Sequence, residues 1–313
     1  MAIVQDVLNI IVPALISFGY LALATFGIVL IYKTSSTTNF AQGMLGVLGA
    51  FTTSYLIDKQ GIQEFTGLPS VVITSPWQLV LPMIAGIAVS FVVGFFIDAV
   101  IFRKSKFTNA ATKQIITMGL VIIITGLIPI IFGTQRRNSF QFSSKTIQFA
   151  GIALPVHQLV TLLISTVVIV GIFLLLRFTK WGLGVRSVAS NERVASLMGI
   201  NTNRINALSW AIAGALGALS AITYTAGIGT LNAVSMVQVQ VDSFYASILG
   251  GFDTFFGPLG GLLIMNLGRS AIPAFLIKFN LAQWSNTVIY ILIMVAVLIK
   301  PVGIFGKKKV KKV

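Results

Sequence analysis

Long apolar runs recur from one end of the chain to the other, and they leave it one kind of solvent. They cover residues 7–32, 41–57, 79–102, 115–132, 157–178, 207–226, 244–272 and 287–299. A helix rises 1.5 Å per residue, so about 20 apolar residues cross a hydrocarbon core of roughly 30 Å. Most of the runs are long enough, and the last needs its flanks from about Trp284 to Pro301. Only 9% of the 313 residues are charged, against about 25% in soluble domains. So few charges cannot clothe a water-facing surface, so the medium is lipid. The expected fold is all-α: a polytopic transmembrane helix bundle of about eight membrane segments, forming one domain over residues 1–313. Met1–Asp6 has no positive region of the kind that opens a signal peptide, and the run after it is too long for one, so no cleaved leader is expected.

Basic residues orient the spans. Lys33 follows the first run. Arg103, Lys104, Lys106 and Lys113 share one loop; Arg177, Lys180, Arg186, Arg193 and Arg204 share another. Lys300, Lys307, Lys308, Lys309, Lys311 and Lys312 fill the tail, 300–313. These are 16 of the 22 Lys and Arg, and all are cytoplasmic if the amino terminus is outside and the spans alternate. Loops 58–77 and 133–156 then lie outside. A cytoplasmic tail requires an even number of crossings after residue 206. Residues 244–272 must therefore enter and leave on one side, or split into two crossings. Gly250, Gly251, Gly257, Pro258, Gly260 and Gly261 lie at the centre of this run. Glycine permits positive φ and proline lacks a donor, so two half-helices around a break are expected. A single kinked helix would put the tail outside. A break at membrane depth must be covered by protein or line a cavity.

Composition excludes much chemistry. The chain has no cysteine, one histidine and seven acidic residues. Disulfides, thiolate metal sites and cysteine nucleophiles are therefore absent. No Walker, HExxH or GxSxG pattern occurs, and no bound cofactor or metal is expected. The net charge of +15 sits in short loops between apolar runs, a spacing that argues against nucleic acid. His157 begins a span, either as a proton relay or simply solvated. Asp98 is placed to pair with Arg103 and Lys104 by snorkelling. Asp242 suits the positive end of a helix near its start. Asp253 lies in the break, where a carboxylate usually lines water. Arg269 and Lys278 are expected at the outer interface. Small residues share single helix faces at Gly46 and Ala50, and at Ala213, Gly217 and Ala221, which lets helices approach closely.

The loop 177–206 carries the most information. Ser190 is a plausible cap, 191–198 a short amphipathic helix, and Gly199 its stop. Such a helix either rests on lipid or docks a soluble partner. The stretch GLGVRSVASNERVASLMGIN resembles the cytoplasmic loop of permease subunits in branched-chain amino-acid ABC importers. Thr38-Asn39-Phe40-Ala41-Gln42-Gly43 resembles that family's INFAHG signature, with Gln42 in place of His. Ala246-Ser247-Ile248-Leu249-Gly250-Gly251-Phe252, with Gly257-Pro258-Leu259-Gly260-Gly261, resembles its AAVLGG…GxxxGG segment. The similarity covers nearly the whole chain.

The resemblance implies a non-catalytic subunit of a bacterial-type inner membrane. Its partners would be a second homologous permease subunit, two cytoplasmic ATPases that carry ATP and Mg, an extracytoplasmic substrate-binding protein, and lipid. Arg186, Ser190, Asn191, Glu192, Arg193, Ala195, Ser196, Met198 and Gly199 would belong to the ATPase-coupling element. Ala195 and Ser196 are small enough for close seating. Asn39, Phe40, Gln42, Gly43, Gly250, Gly251, Asp253 and Gly257 are the residues expected along the translocation path. The solute would be a branched-chain or other amino acid. A urea, amide or sugar permease is the alternative within the superfamily. A stand-alone channel or secondary transporter, or a membrane enzyme, is the alternative outside it. Scarce intramembrane acids and histidines weigh against proton coupling.

Overall fold

A computed structural model of the protein describes residues 2–58, 76–104, 109–149 and 151–306. The expected outer loop 58–77 and the tail lysines 307–312 therefore lie largely outside the described residues. The first helix, α1 (Ala2–Ser35), is followed by α2 (Gln42–Ile57). A 3-10 turn at Pro76–Leu79 leads into α3 (Val80–Phe96), which ends in the π-helical turn Ile97–Phe102. Then come α4 (Ala110–Phe132), α5 (Val156–Phe178), α6 (Lys180–Ser190) and α7 (Glu192–Leu197). The chain continues through α8 (Thr202–Ile228), α9 (Val237–Gly250), α10 (Gly257–Leu276) and α11 (Ser285–Ile299). Among the described residues, seven helices are long and apolar enough to cross a membrane. α2 and α9, with 16 and 14 residues, are shorter and packed among them.

The small residues explain the core. A Cβ at Gly46 of α2 would lie 2.5 Å from the Gly217 carbonyl oxygen of α8 and 3.3 Å from the Ala221 methyl. The two small-residue faces therefore pack on each other, backbone against backbone. Ser90 of α3 donates to the Leu45 carbonyl at 2.8 Å, which brings a third helix into the same contact. In lipid no hydrophobic force drives helices together, so such close approach, with its dispersion and hydrogen bonds, holds the bundle. α4, α5 and α11 lie outside this centre. Ile122 and Ile130 of α4, Leu163 of α5 and Leu298 of α11 are exposed, as lipid contact requires.

The two ends of the bundle are distinct. On the basic side, Lys113 Nζ donates to the Ser35 carbonyl at 3.3 Å, and Arg103 donates to the Asn203 carbonyl at 3.2 Å. On the opposite side, short strands cap the helices. β2 (Thr146–Phe149) and β3 (Ile152–Pro155) pair antiparallel with Ile147 opposite Leu154. β1 (Arg137–Asn138) pairs with β4 (Thr230–Leu231). Arg137 also meets Asp58 at 3.3 Å.

The glycine-rich run near 244–272 resolves into two helices around a break. α9 and α10 form an antiparallel hairpin joined by 251–256, and of the two α10 is long and apolar enough to cross a membrane. The join lies not at mid-depth but at the basic side. Ile304 and Phe305, just past α11, donate their amides to the Leu249 and Gly250 carbonyls at 2.8 and 3.1 Å. Lys33 Nζ donates to the Asp253 carbonyl at 2.6 Å. Gly251, at φ +94°, takes the conformation that glycine alone adopts readily, and Val302 and Gly306 press against it. The freed backbone groups of the break are thus satisfied by the segment following α11.

Candidate functional site

The basic-side loop folds into two helices where one was expected. Thr179 caps α6, its hydroxyl accepting from the Gly182 amide at 3.0 Å. Asn191, rather than Ser190, caps α7, accepting from the Val194 amide at 3.1 Å. Ser190 is the exposed last residue of α6. Gly199 ends the element at φ +83°. Arg186 turns back to donate to the Leu176 and Arg177 carbonyls at the end of α5, so it anchors the bend from within. Glu192 accepts from Asn206 Nδ2 at 3.2 Å, tying α7 to α8. Ala195 is buried inside the chain, contrary to the expected seating against a partner. The presented side chains are Arg193, Val194, Ser196, Leu197 and Met198; Leu197 is 81% and Met198 78% exposed. Between the bend's arms lies a concavity of about 520 Å³ lined by Ser187, Val194, Met198 and Ile200, among others.

The residues expected along a path occupy two separate places. Asn39 and Gln42 are buried in a polar knot between helices. Asn39 Nδ2 donates to Gln42 Oε1 at 3.2 Å, and Gln42 Nε2 donates to the Ala213 carbonyl at 2.7 Å. Gly43 N donates to Gln240 Oε1 at 2.6 Å, while Gln240 Nε2 donates to the Phe40 carbonyl. Phe40 packs on Phe244, ring centroids 5.1 Å apart. The knot therefore fastens α2 to α8 and α9. Gly250, Gly251, Asp253 and Gly257 belong to the hairpin join already described, on the basic side.

The remaining polar residues differ from expectation. Asp98 is buried in the π-helical turn and forms no ion pair within 4.0 Å among the described residues. Arg103 donates to the Asn203 carbonyl instead. His157 is buried, not solvated. Its Nδ1 accepts from the Phe142 amide at 3.2 Å, so Nε2 carries the proton and donates to the Thr223 carbonyl at 3.0 Å. Asp242 and Arg269 are neither a helix-end acid nor an interfacial cation. They form a bidentate ion pair in which the Asp242 side chain is 4% and that of Arg269 24% exposed. Tyr290 of α11 donates to Asp242 Oδ1 at 3.0 Å and accepts from Arg269 Nη2 at 2.9 Å. Gln238 donates to Asp242 Oδ1 at 2.9 Å. The pair could have been found in the sequence: a hairpin folded at 250–257 brings positions 242 and 269 within reach of each other. No group of three or more His, Asp or Glu among the described residues is placed to hold a metal.

The sequence profile described as "Branched-chain amino acid transport system / permease component" matches residues 10–298. The chain belongs to this permease family. It is 25% identical over 300 residues to the high-affinity branched-chain amino acid transport system permease protein BraD of Pseudomonas aeruginosa, covering 93% of each chain. To the corresponding protein LivH of Escherichia coli it is 23% identical, again over 93% of each. A probable branched-chain amino acid transport permease protein of Methanocaldococcus jannaschii is 26% identical, over 96% of this chain and 93% of its own. No solved structure matches.

The permease also has cavities on the side opposite its basic bend. One of about 150 Å³ lies between α1, α5 and α8, lined by Tyr20, His157, Gln158, Thr161, Thr223 and Tyr224, among others. A second, of about 300 Å³, shares Ile16, Tyr20 and Gln158 with it and extends towards β3. Both combine aromatic faces with hydroxyl and amide groups, the lining that orients small polar solutes.

Proposed function

We propose that this multi-pass permease is the translocating subunit of an ATP-binding-cassette importer in a bacterial-type inner membrane, carrying branched-chain or other amino acids. The basic side then faces the cytoplasm. Two ATPase subunits bind there with ATP and Mg, a second permease subunit lies alongside, and a binding protein delivers solute from the opposite side. The chain does no chemistry of its own.

One observation carries the reading: a capped helical bend on the basic side leaves large apolar side chains exposed. Val194 and Leu197 project from a six-residue helix that is capped at its start, and Met198 follows at its end before the stop at Gly199. Such a cluster on a polar loop marks a docking surface. The anchors of the bend explain how docking would move the membrane part. Arg186 fastens it to the end of α5, and Glu192 with Asn206 fastens it to the start of α8. A partner that prefers one position of the bend therefore biases the two helices together.

Replacing Leu197 by Glu tests this without touching either anchor. Co-purification of the ATPases should fall about tenfold or more, as loss of an interface anchor does. Transport-linked ATP turnover should fall with it, while insertion of the permease stays normal. Normal assembly and coupling by Leu197→Glu and by Met198→Glu would reassign the bend to lipid contact.

A further inference from the structure

The Asp242–Arg269 pair sits where ions are expensive. It lies roughly 12 Å along α9 from Gly250 and roughly 18 Å along α10 from Gly257, which is near mid-depth in a core of roughly 30 Å. As packing alone it is a poor investment: well-fitted apolar side chains replace buried ion pairs at no loss of stability. Ionisable groups at this depth usually serve a path.

Three features separate this pair from a sealed staple. First, its edge is open. Gln238 is exposed, and Tyr290, half-buried, donates beside it to the same carboxylate oxygen. Lipid cannot satisfy an exposed amide, so this edge faces water or polar protein. Second, the buried Nε of Arg269 has no acceptor among the described residues. A charged donor is left over. Third, Asn266, one turn from Arg269 on α10, donates to the Ala14 carbonyl of α1 at 3.3 Å, and α1 carries Tyr20 to the wall of the 150 Å³ cavity.

We propose that Asp242 and Arg269, with Gln238 and Tyr290 at their edge, form a mid-membrane binding site for the charged ends of a zwitterionic solute. The proposal deepens the reading of the chain as an amino-acid permease and rests on it. A zwitterion carries the same two charges as the pair. Its carboxylate can take donors from Gln238, Tyr290 and the Arg269 guanidinium edge released from Asp242, and its ammonium can take Asp242. Partners are exchanged and no net charge is left in the membrane. A free carboxylate or amine alone would leave one protein charge unbalanced. Solutes such as sugars or urea gain nothing from the pair.

The test uses the assembled transporter, purified in detergent without its binding protein, and leucine as the probe in equilibrium dialysis. Gln238→Leu and Tyr290→Phe each remove a neutral edge donor and leave the ion pair in place. Each should weaken leucine binding about tenfold, the loss expected for one hydrogen bond to a charged group. A merely structural role would lower thermal stability and leave binding alone. Leucine binding within twofold of the parent in whichever of the two variants assembles, or no saturable binding by the parent up to about 50 mM, overturns the site. Uptake by the parent complex of leucine, urea and ribose separates the two claims. Leucine uptake with unaltered binding in the variants removes the site and keeps the importer reading. Ribose or urea uptake without leucine removes the reading itself.

Discussion

Single residues in this protein are constrained mainly by the absence of water, and His157 shows how. Both ring nitrogens are engaged, one accepting from the Phe142 amide and the other donating to the Thr223 carbonyl. No nitrogen is left to pass a proton, and the ring instead clips the loop carrying Phe142 to α8 while stacking on Phe142. His157→Phe keeps the stacking and strands a buried N–H. The expected cost is about 2 kcal/mol, seen as a lower thermal midpoint of the purified permease in detergent. An unchanged midpoint would mean the clip contributes nothing. The histidine itself was visible in the sequence. Its partners were not, because Phe142 and Thr223 are 15 and 66 residues away and only the fold brings them to one ring.

At the scale of elements, the same residue type does opposite things according to which helix carries it. Gly46 lies against the backbone of α8, whereas a Cβ at Gly119 of α4 would meet nothing within 4 Å. Gly46→Leu should therefore force α2 from α8, costing about 3 kcal/mol or more and reducing the yield of monodisperse protein on size-exclusion chromatography. Gly119→Leu should be tolerated. Equal behaviour of the two would show that the α2–α8 contact is not what holds the centre. The spacing of small residues at Gly46 and Ala50, and at Ala213, Gly217 and Ala221, was legible, since it follows from helix geometry alone. That these two faces choose each other was not, because every helix of a membrane bundle offers some small residues. α6 was missed for a related reason. Its glycines, Gly182 and Gly184, are weak helix formers, and what holds it is the Thr179 cap and the Arg186 anchor to α5.

For the whole molecule, the proposed reading turns on which side faces the cytoplasm. The chain has no cysteine, so single cysteines report cleanly. Ser187→Cys, in the basic bend, should be protected from an impermeant thiol reagent added to intact cells, and Asn280→Cys, between α10 and α11, should react. Labelling at position 187 would invert the orientation and remove the ATPase reading with it. After residue 206 the chain runs through α8, α9, α10 and α11, four separate helices of which α8, α10 and α11 have span length.

The sequence alone determined the solvent, the fold class, the spans and the existence of a break near Gly250–Gly261. It did so because lipid imposes one rule on every stretch of chain: backbone groups must be satisfied locally, which makes an apolar run of span length a helix wherever it occurs. It also showed the short helix near 191–198 and the residues that resemble the family's signatures. Tertiary structure alone decided what those residues touch. The signature around Asn39 and Gln42 proved to be a buried knot, Ala195 faces inward, and the break sits against Val302 and Gly306 rather than at mid-depth. The ion pair between Asp242 and Arg269 is the clearest case. Each charge was plain in the sequence, but the meaning of a charge in lipid depends on its partner, and partners 27 residues apart are chosen by how a hairpin folds.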